Sequence, residues 1–492
     1  MSKLFARATR AALPVLAVVA LASQIPACPQ PAFASQLDTD AILGIAESER
    51  DDDVSDRPDI EARNAIVVGS DGTVYFERDA DAQVKIASIT KVMTAIVVLE
   101  NSSLDDEVVV DHAAATVGQS SADLKEGDVL TMEEALRALL VPSGNDAAMA
   151  IASTVGAKID PSSDDPYDAF IQAMNEKSAE LGMKSAFTNP HGLDFEGWEA
   201  DMHSSARDVA TMFAYAMQND DFRALTSTTN NVITVTGADG AERDITMIER
   251  NTILGRDGNI GGKTGGTYEA LQCFVGAFSR EDGGEIYTVT LGSDGDEQRF
   301  ADTLALANWY YDHVVAYPLV TSEAMAPDGS ALIARVPHAA WTDKTVDATV
   351  ADPMGAVNVF SLAGPVERSV EPEDITGDVA VGEDVGDLVL TQDGEEVARV
   401  DLIASELAAC AARPPGSHGD RGAYGRAVRD RGAGTRRRDA FACERLGFCK
   451  AFVSSAYGLV QERDPRLFVT ARVRCVARSG PPRCRPADST RW

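Results

Sequence analysis

The apolar positions change period along the chain, and those changes outline its elements. Ala65-Ile66-Val67-Val68 and Thr73-Val74-Tyr75-Phe76 flank Ser70-Asp71-Gly72, which predicts a β-hairpin. The period then turns helical. One helix is expected from Ser88 through Leu99, and a second where Thr131 and Glu134 form a capping box ahead of Ala135-Leu136 and Leu139-Leu140. Further helices are expected at about 166–181, ending before Gly182, and at about 204–218. Near Gly261 the strand period returns: Leu271 to Phe278 and Glu285 to Leu291 read as strands joined at Asp282-Gly283-Gly284, followed by a helix at about 299–314. Strand, helices, strands and a closing helix describe an α+β unit, read as a mixed sheet flanked by helices over residues 61–315. From about 316 to 405 the pattern is β throughout, with Val379 to Val381, Leu388 to Leu390 and Val397 to Leu402 among its strands. That stretch reads as a second, small all-β domain, a sandwich.

The ends differ from the body. Lys3, Arg7 and Arg10 precede an apolar run from Ala11 to Ala22, and Ala32-Phe33-Ala34 supplies the small residues of a cleavage site. Residues 1–34 therefore read as a secretory signal peptide, and the chain as exported. Residues 35–60, with Asp51-Asp52-Asp53, read as an acidic, solvated linker. After residue 406 the composition breaks: from 411 onward 17 Arg and one Lys face seven acidic residues, in a chain whose net charge is -33. This Arg-rich tail, 406–492, carries no sustained period and is expected to be disordered or translated out of frame. Of seven cysteines only Cys273 lies in the body, within an apolar run, so it reads as a small buried hydrophobe and the body as free of disulfides.

The acidic balance excludes nucleic acid as a main partner, because phosphates would be repelled. Candidate chemistry lies in three short motifs. Ser88-Ile89-Thr90-Lys91 opens a helix, so Ser88 and Lys91 share a face, and a neutral lysine there can take the serine proton. Ser143-Gly144-Asn145 falls between two helices; the hydroxyl can relay protons and the amide can hold a substrate carbonyl. Lys263-Thr264-Gly265 leads into a strand, where charge and hydroxyl can hold a carboxylate and the glycines let a substrate strand lie alongside. It is not a P-loop, since the position that needs glycine holds Asp257. No His-Glu-x-x-His signature occurs, and no metal or cofactor is expected.

Together these motifs resemble the active-site set of the serine penicillin-binding proteins, in particular the low-molecular-mass D-alanyl-D-alanine carboxypeptidases. Ala87 through Ala95, Ser143 through Ala148, Phe187 through Asp194, His203 through Asp208 and Lys263 through Ala270 carry the resemblance, which covers about 62–405. It implies a β-lactamase/transpeptidase-like domain, an antiparallel sheet flanked by helices plus a helical subdomain, followed by a small all-β domain. It also implies removal of the terminal D-alanine from peptidoglycan stem peptides through an acyl-enzyme on Ser88, with inhibition by β-lactams. Lys91 and Ser143 would join Ser88 in catalysis, and Asn145, Lys263, Thr264, Gly265 and Gly266 would bind substrate. The backbone N–H groups of Ser88 and Gly266 would form the oxyanion hole. Many relatives carry a larger residue at the place of Gly266. His191 and His203 would be structural. Relatives usually end in a membrane-associating segment, so peripheral membrane association and an envelope location are implied, although nothing after Leu402 approaches a spanning length. Three rival readings stay open at this point. A β-lactamase would need a deacylating carboxylate, for which Asp194, Glu196 and Glu199 are available. A DD-endopeptidase would use the same residues, and a non-catalytic wall-binding protein would need none of them.

Overall fold

The computed structural model describes residues 39–46, 49–50, 56–341 and 343–407. The expected signal peptide and, from residue 408 on, the expected Arg-rich tail lie outside the described residues. The central sheet has seven strands in the order Ile45–Ala46, Ala41–Ile42, Val74–Arg78, Asn64–Gly69, Gly284–Ser293, Leu271–Arg280, Asn259–Thr267. Every pairing in it is antiparallel, which corrects the mixed sheet read from element order. The first hairpin returns beside the last strands with Gly69 opposite Ile286, so no parallel crossover is needed.

Side-chain alternation divides the core. Ala65 and Val67, with Phe274, Phe278 and Ile286, pack under the helix Asp296–Asp312 through Phe300, Leu304 and Trp309. Ile66, Val275, Ala277, Tyr287 and Val289 face the opposite way, toward helices Lys91–Asn101, Asn145–Ile159 and Ala206–Ala216. Neighbouring strand residues thus serve two separate helical layers. The Thr131/Glu134 capping box is present and starts the helix Met132–Leu140. A four-stranded sheet, Glu107–Val109, Val129–Thr131, Val232–Thr236 and Glu242–Thr246, lies in the helical half.

The acidic lead-in is not wholly solvated. Ala41–Ile42 joins the sheet edge against Phe76 and Glu77. Buried Asp40 accepts two bonds from Arg78, from Nε at 2.6 Å and Nη2 at 2.8 Å. Arg78 also donates to the Ile60 and Ala62 carbonyls, so one carboxylate of the acidic run anchors the edge strand. The bidentate pairing and the extra acceptors offset the desolvation of both charges.

Beyond the closing helix, strands Val314–Pro318 and Ala356–Phe360 pair. A five-stranded sheet follows in the order Ala334–Pro337, Thr345–Val350, Glu395–Ala404, Asp384–Gln392, Val366–Pro372. Val336, Val346, Val385, Leu388, Leu390 and Leu402 fill its core, against which Tyr317 and Val357 of the two-stranded sheet pack. Phe360 ties this small β-unit to the first, 4.9 Å from the Tyr75 ring and 5.6 Å from Trp309. No helix among the described residues is long and apolar enough to cross a membrane.

Candidate active site

Ser88 stands in a 3-10 turn, Ala87–Thr90, and the α-helix begins only at Lys91. The expected helix start at Ser88 is therefore displaced by one turn. The cause is packing around the turn. Strand Asn259–Thr267 comes so close that a Cβ on Gly265 would lie 2.5 Å from the Ile86 carbonyl oxygen. From the other side a Cβ on Gly192 would lie 1.9 Å from the Ala87 carbonyl, and Gly192 has φ +90°. Ala87 is held at φ 48°, a strained conformation for a residue with a side chain. The missing side chain of Gly265 thus serves the turn under Ser88. Gly265 also lines the cleft beside Ser88. Gly266, one residue on, is exposed.

Lys91 is fully buried beneath this turn. Its Nζ lies 2.9 Å from Ser88 Oγ, 2.7 Å from Asn145 Oδ1 and 2.9 Å from the His191 carbonyl oxygen. Burial lowers its pKa to about 7, with the Asp146 carboxylate pulling the other way. A neutral lysine has two N–H bonds and one lone pair. Asn145 Oδ1 and the His191 carbonyl can only accept, so they take the two hydrogens and leave the lone pair to the Ser88 hydroxyl. Asn145 begins the helix Asn145–Ile159, and its Nδ2 donates to the Gly118 carbonyl at 3.0 Å. Its amide oxygen is spent on Lys91, leaving only the second Nδ2 hydrogen for a substrate carbonyl. Asp146 holds the opposite wall, accepting from Ser121 Oγ and the Ala122 and Leu124 amides.

Ser143 sits in the loop before that helix at φ 65°, its Oγ 2.8 Å from Lys263 Nζ. Lys263 lies inside the strand, not ahead of it, and also donates to the Thr264 carbonyl at 2.8 Å. Burial first, then the charges of Lys91 and Arg299, hold Lys263 well below the ordinary lysine range. Lys263 is only 2% exposed, so any carboxylate in the cleft meets its charge across Ser143 and Thr264.

Two cavities meet at Ser88. One, of about 270 Å³, is lined by Gln119, Asn145, Leu193, Phe195, Tyr268 and Gln272 among others. The second, of about 160 Å³, is lined by Ser143, Thr264, Gly266, Arg250, Gln272 and Arg299 among others. The sequence reading missed Arg250, Gln272 and Arg299. Arg299, on the closing helix, donates from Nη1 to the Gly265 carbonyl at 2.8 Å, which places a guanidinium beside Thr264. No local motif announces it, because it reaches the cleft only through the packing of that helix on the sheet.

His191 is fully buried, its ring edge-on to Trp198 at 4.5 Å and its Nδ1 accepting from the Leu193 amide. Burial and the Lys91 charge keep it well below the usual imidazole range. His203 bonds its neighbour Asp201. Of the carboxylates near the cleft, Asp194 accepts through Oδ2 from Thr267 Oγ1, Glu196 from Gln119 and Glu199 from the Gly197 amide.

A helix-flanked antiparallel sheet with a serine over a buried lysine is the architecture of a serine hydrolase whose base is an amine. Residues 51–295 match the D-alanyl-D-alanine carboxypeptidase family. The chain is 25% identical over 359 residues to D-alanyl-D-alanine carboxypeptidase DacF of Bacillus subtilis, covering 70% of this chain and 85% of the relative. It is 34% identical over 226 residues to D-alanyl-D-alanine carboxypeptidase DacB2 of Mycobacterium tuberculosis, covering 45% and 72%. To a D-alanyl-D-alanine endopeptidase of Pseudomonas aeruginosa it is 30% identical over 247 residues, covering 48% and 73%. The chain belongs to the D-alanyl-D-alanine carboxypeptidase family, serine peptidases of the bacterial cell wall that act on peptidoglycan peptides and bind β-lactams.

Proposed function

We propose that the protein removes the terminal D-alanine from peptidoglycan stem peptides by acyl transfer through Ser88. The observation that carries this is the three-way setting of Lys91 Nζ, in which two obligate acceptors leave the amine lone pair for Ser88. Ser88 Oγ attacks the carbonyl between the two D-alanines as its proton passes to Lys91. The carbonyl oxygen becomes an oxyanion facing the backbone N–H groups of Ser88 and Gly266. Collapse of the tetrahedral intermediate breaks the C–N bond and expels D-alanine, whose nitrogen takes the proton held by Lys91, relayed through the Ser143 hydroxyl that is hydrogen-bonded to Lys263, leaving Lys91 neutral again. Water then attacks the acyl-enzyme and the serine is regenerated. The terminal carboxylate is assigned to the cavity of Thr264, Arg250 and Arg299, with the Lys263 charge behind it.

Carboxypeptidase action is favoured over endopeptidase action because that cavity, at about 160 Å³, is small and cationic, suited to a free terminal residue. We place the work outside the cytoplasmic membrane, where peptidoglycan is. The basic-then-apolar sequence of residues 1–34 supports export, and peripheral attachment to the membrane fits the same location. Labelling with a fluorescent penicillin tests the assignment. Wild-type protein should form a covalent adduct and Ser88→Ala none, and intact-mass spectra showing an adduct on Ser88→Ala would sink it.

A further inference from the structure

Gly266 leaves a gap in the wall of the cleft, and the neighbouring strand fills it. Gln272 pairs directly opposite Gly266, and a β-bulge beside it interrupts the register on its other edge. A Cβ at position 266 would lie 2.8 Å from Gln272 Oε1 and 3.5 Å from Gln272 Nε2. The Gln272 amide therefore lies across the bare glycine, in the space a side chain there would take. Its Oε1 accepts from Arg299 Nη1 at 2.8 Å. Arg299 is held further by the Gly265 carbonyl and by Asp296. Among the described residues no acceptor takes the Gln272 Nε2 hydrogens. Gln272 also lines both cavities that meet at Ser88.

We propose that Gln272 is a specificity-determining residue that fixes Arg299 and offers its own Nε2–H to the substrate's terminal carboxylate. The inference rests on the carboxypeptidase reading above. Because Oε1 accepts from a cation, the amide is polarised and its N–H is a stronger donor than that of a free glutamine. The absence of a side chain at 266 is what admits this amide to the cleft. Gly266 and Gln272 are therefore one device: adding a methyl at 266 displaces the glutamine, while removing the glutamine makes that methyl harmless.

The test is a double-mutant cycle on the full chain with Gly266→Ala, Gln272→Ala and the pair, plus Gln272→Glu. It reads kcat and KM on a peptide ending in free D-alanine and on its C-terminal amide, with penicillin labelling to count competent sites and a thermal melt to check folding. Each single alanine variant should lower the acid-over-amide preference on the order of tenfold, chiefly through KM, as loss of one hydrogen bond to a charged group does. The pair should be no worse than Gln272→Ala alone. Gln272→Glu keeps an acceptor for Arg299 but replaces the donor with a negative charge, so it should lower the preference furthest. Additive effects of the two alanine changes, or an unaltered preference in Gln272→Glu, would overturn the proposal. A wild-type protein that takes no penicillin label would instead overturn the carboxypeptidase reading beneath it.

Discussion

Replacing Lys91 by methionine removes one titratable group from the interior, and its effect on stability should depend on pH with a definite sign. In the unfolded chain the amine keeps its proton up to about pH 10.5, whereas burial lowers the folded-state value to about 7. Between those limits the unfolded state binds one proton more than the folded state. Stability therefore rises with pH across this window, by about 1.4 kcal/mol per pH unit. Below about pH 7 both states are protonated, the penalty for the buried charge is complete, and its slope vanishes. Lys91→Met lacks this term. It also leaves Asn145 Oδ1 and the His191 carbonyl without a donor, a loss that does not vary with pH in this range. Only the slope is diagnostic. Between pH 7.5 and 9.5 the wild type should gain about 2–3 kcal/mol relative to Lys91→Met in urea denaturation. Lys263 is depressed in the same direction but is common to both proteins, and its contribution largely cancels. The kinetic counterpart is acylation by penicillin, which should climb about tenfold per unit below pH 7 and level off above it, as the free enzyme's base loses its proton. A double difference under about 0.5 kcal/mol, or a rate profile flat through pH 7, would refute a neutral Lys91 base.

Two further changes test the frame around the site. Gly265→Ala drives a Cβ to within 2.5 Å of the Ile86 carbonyl, so the Ser88 turn must shift. Penicillin acylation should fall at least about tenfold, with about 1–3 kcal/mol lost in denaturant unfolding, typical of overpacking. Asp40→Asn takes away the charge that buried Arg78 is paired with. Thermal and denaturant unfolding should show a loss of about 3–5 kcal/mol, whereas a freely solvated lead-in would lose almost nothing.

The elements that were legible in the sequence are those whose signal is local. The hairpin at Ile66 and Phe76, the Thr131/Glu134 capping box and the helix ending before Gly182 depend on neighbours a few residues away, and they stand where expected. Serine and lysine three apart were legible as a pair for the same reason. The four-stranded sheet was not, because it pairs Val129 with Thr236, about a hundred residues on, and no short window contains that partnership. The loop between two helices at Ser143-Gly144 was legible, but the φ of 65° at Ser143, which brings its hydroxyl to Lys263, has no local signal.

Two further misreadings, the lead-in taken as solvated and Arg299 not placed at the cleft, share one physical origin. Polarity patterns assume that charged residues belong at the surface, a sound default because desolvating an isolated charge costs several kcal/mol. Asp40, Lys91, Lys263 and Arg299 all violate it, and each is buried. Asp40 and Arg78 satisfy one another by bidentate pairing and serve the sheet edge. Lys91, Lys263 and Arg299 have no comparable pairing: the two lysines donate to one hydroxyl, two backbone carbonyls and one side-chain amide, and only Asp296 offers Arg299 a carboxylate. Burial lowers the pKa of all three, and where neighbouring cations act they push the same way. A fold does not bury three under-compensated basic groups around one cleft for stability, since apolar residues of similar volume would cost less. What the arrangement supplies is a neutral amine beside a hydroxyl, next to a small cavity of residual positive charge. Those are the two things needed to make an acyl-serine from a peptide that ends in a carboxylate.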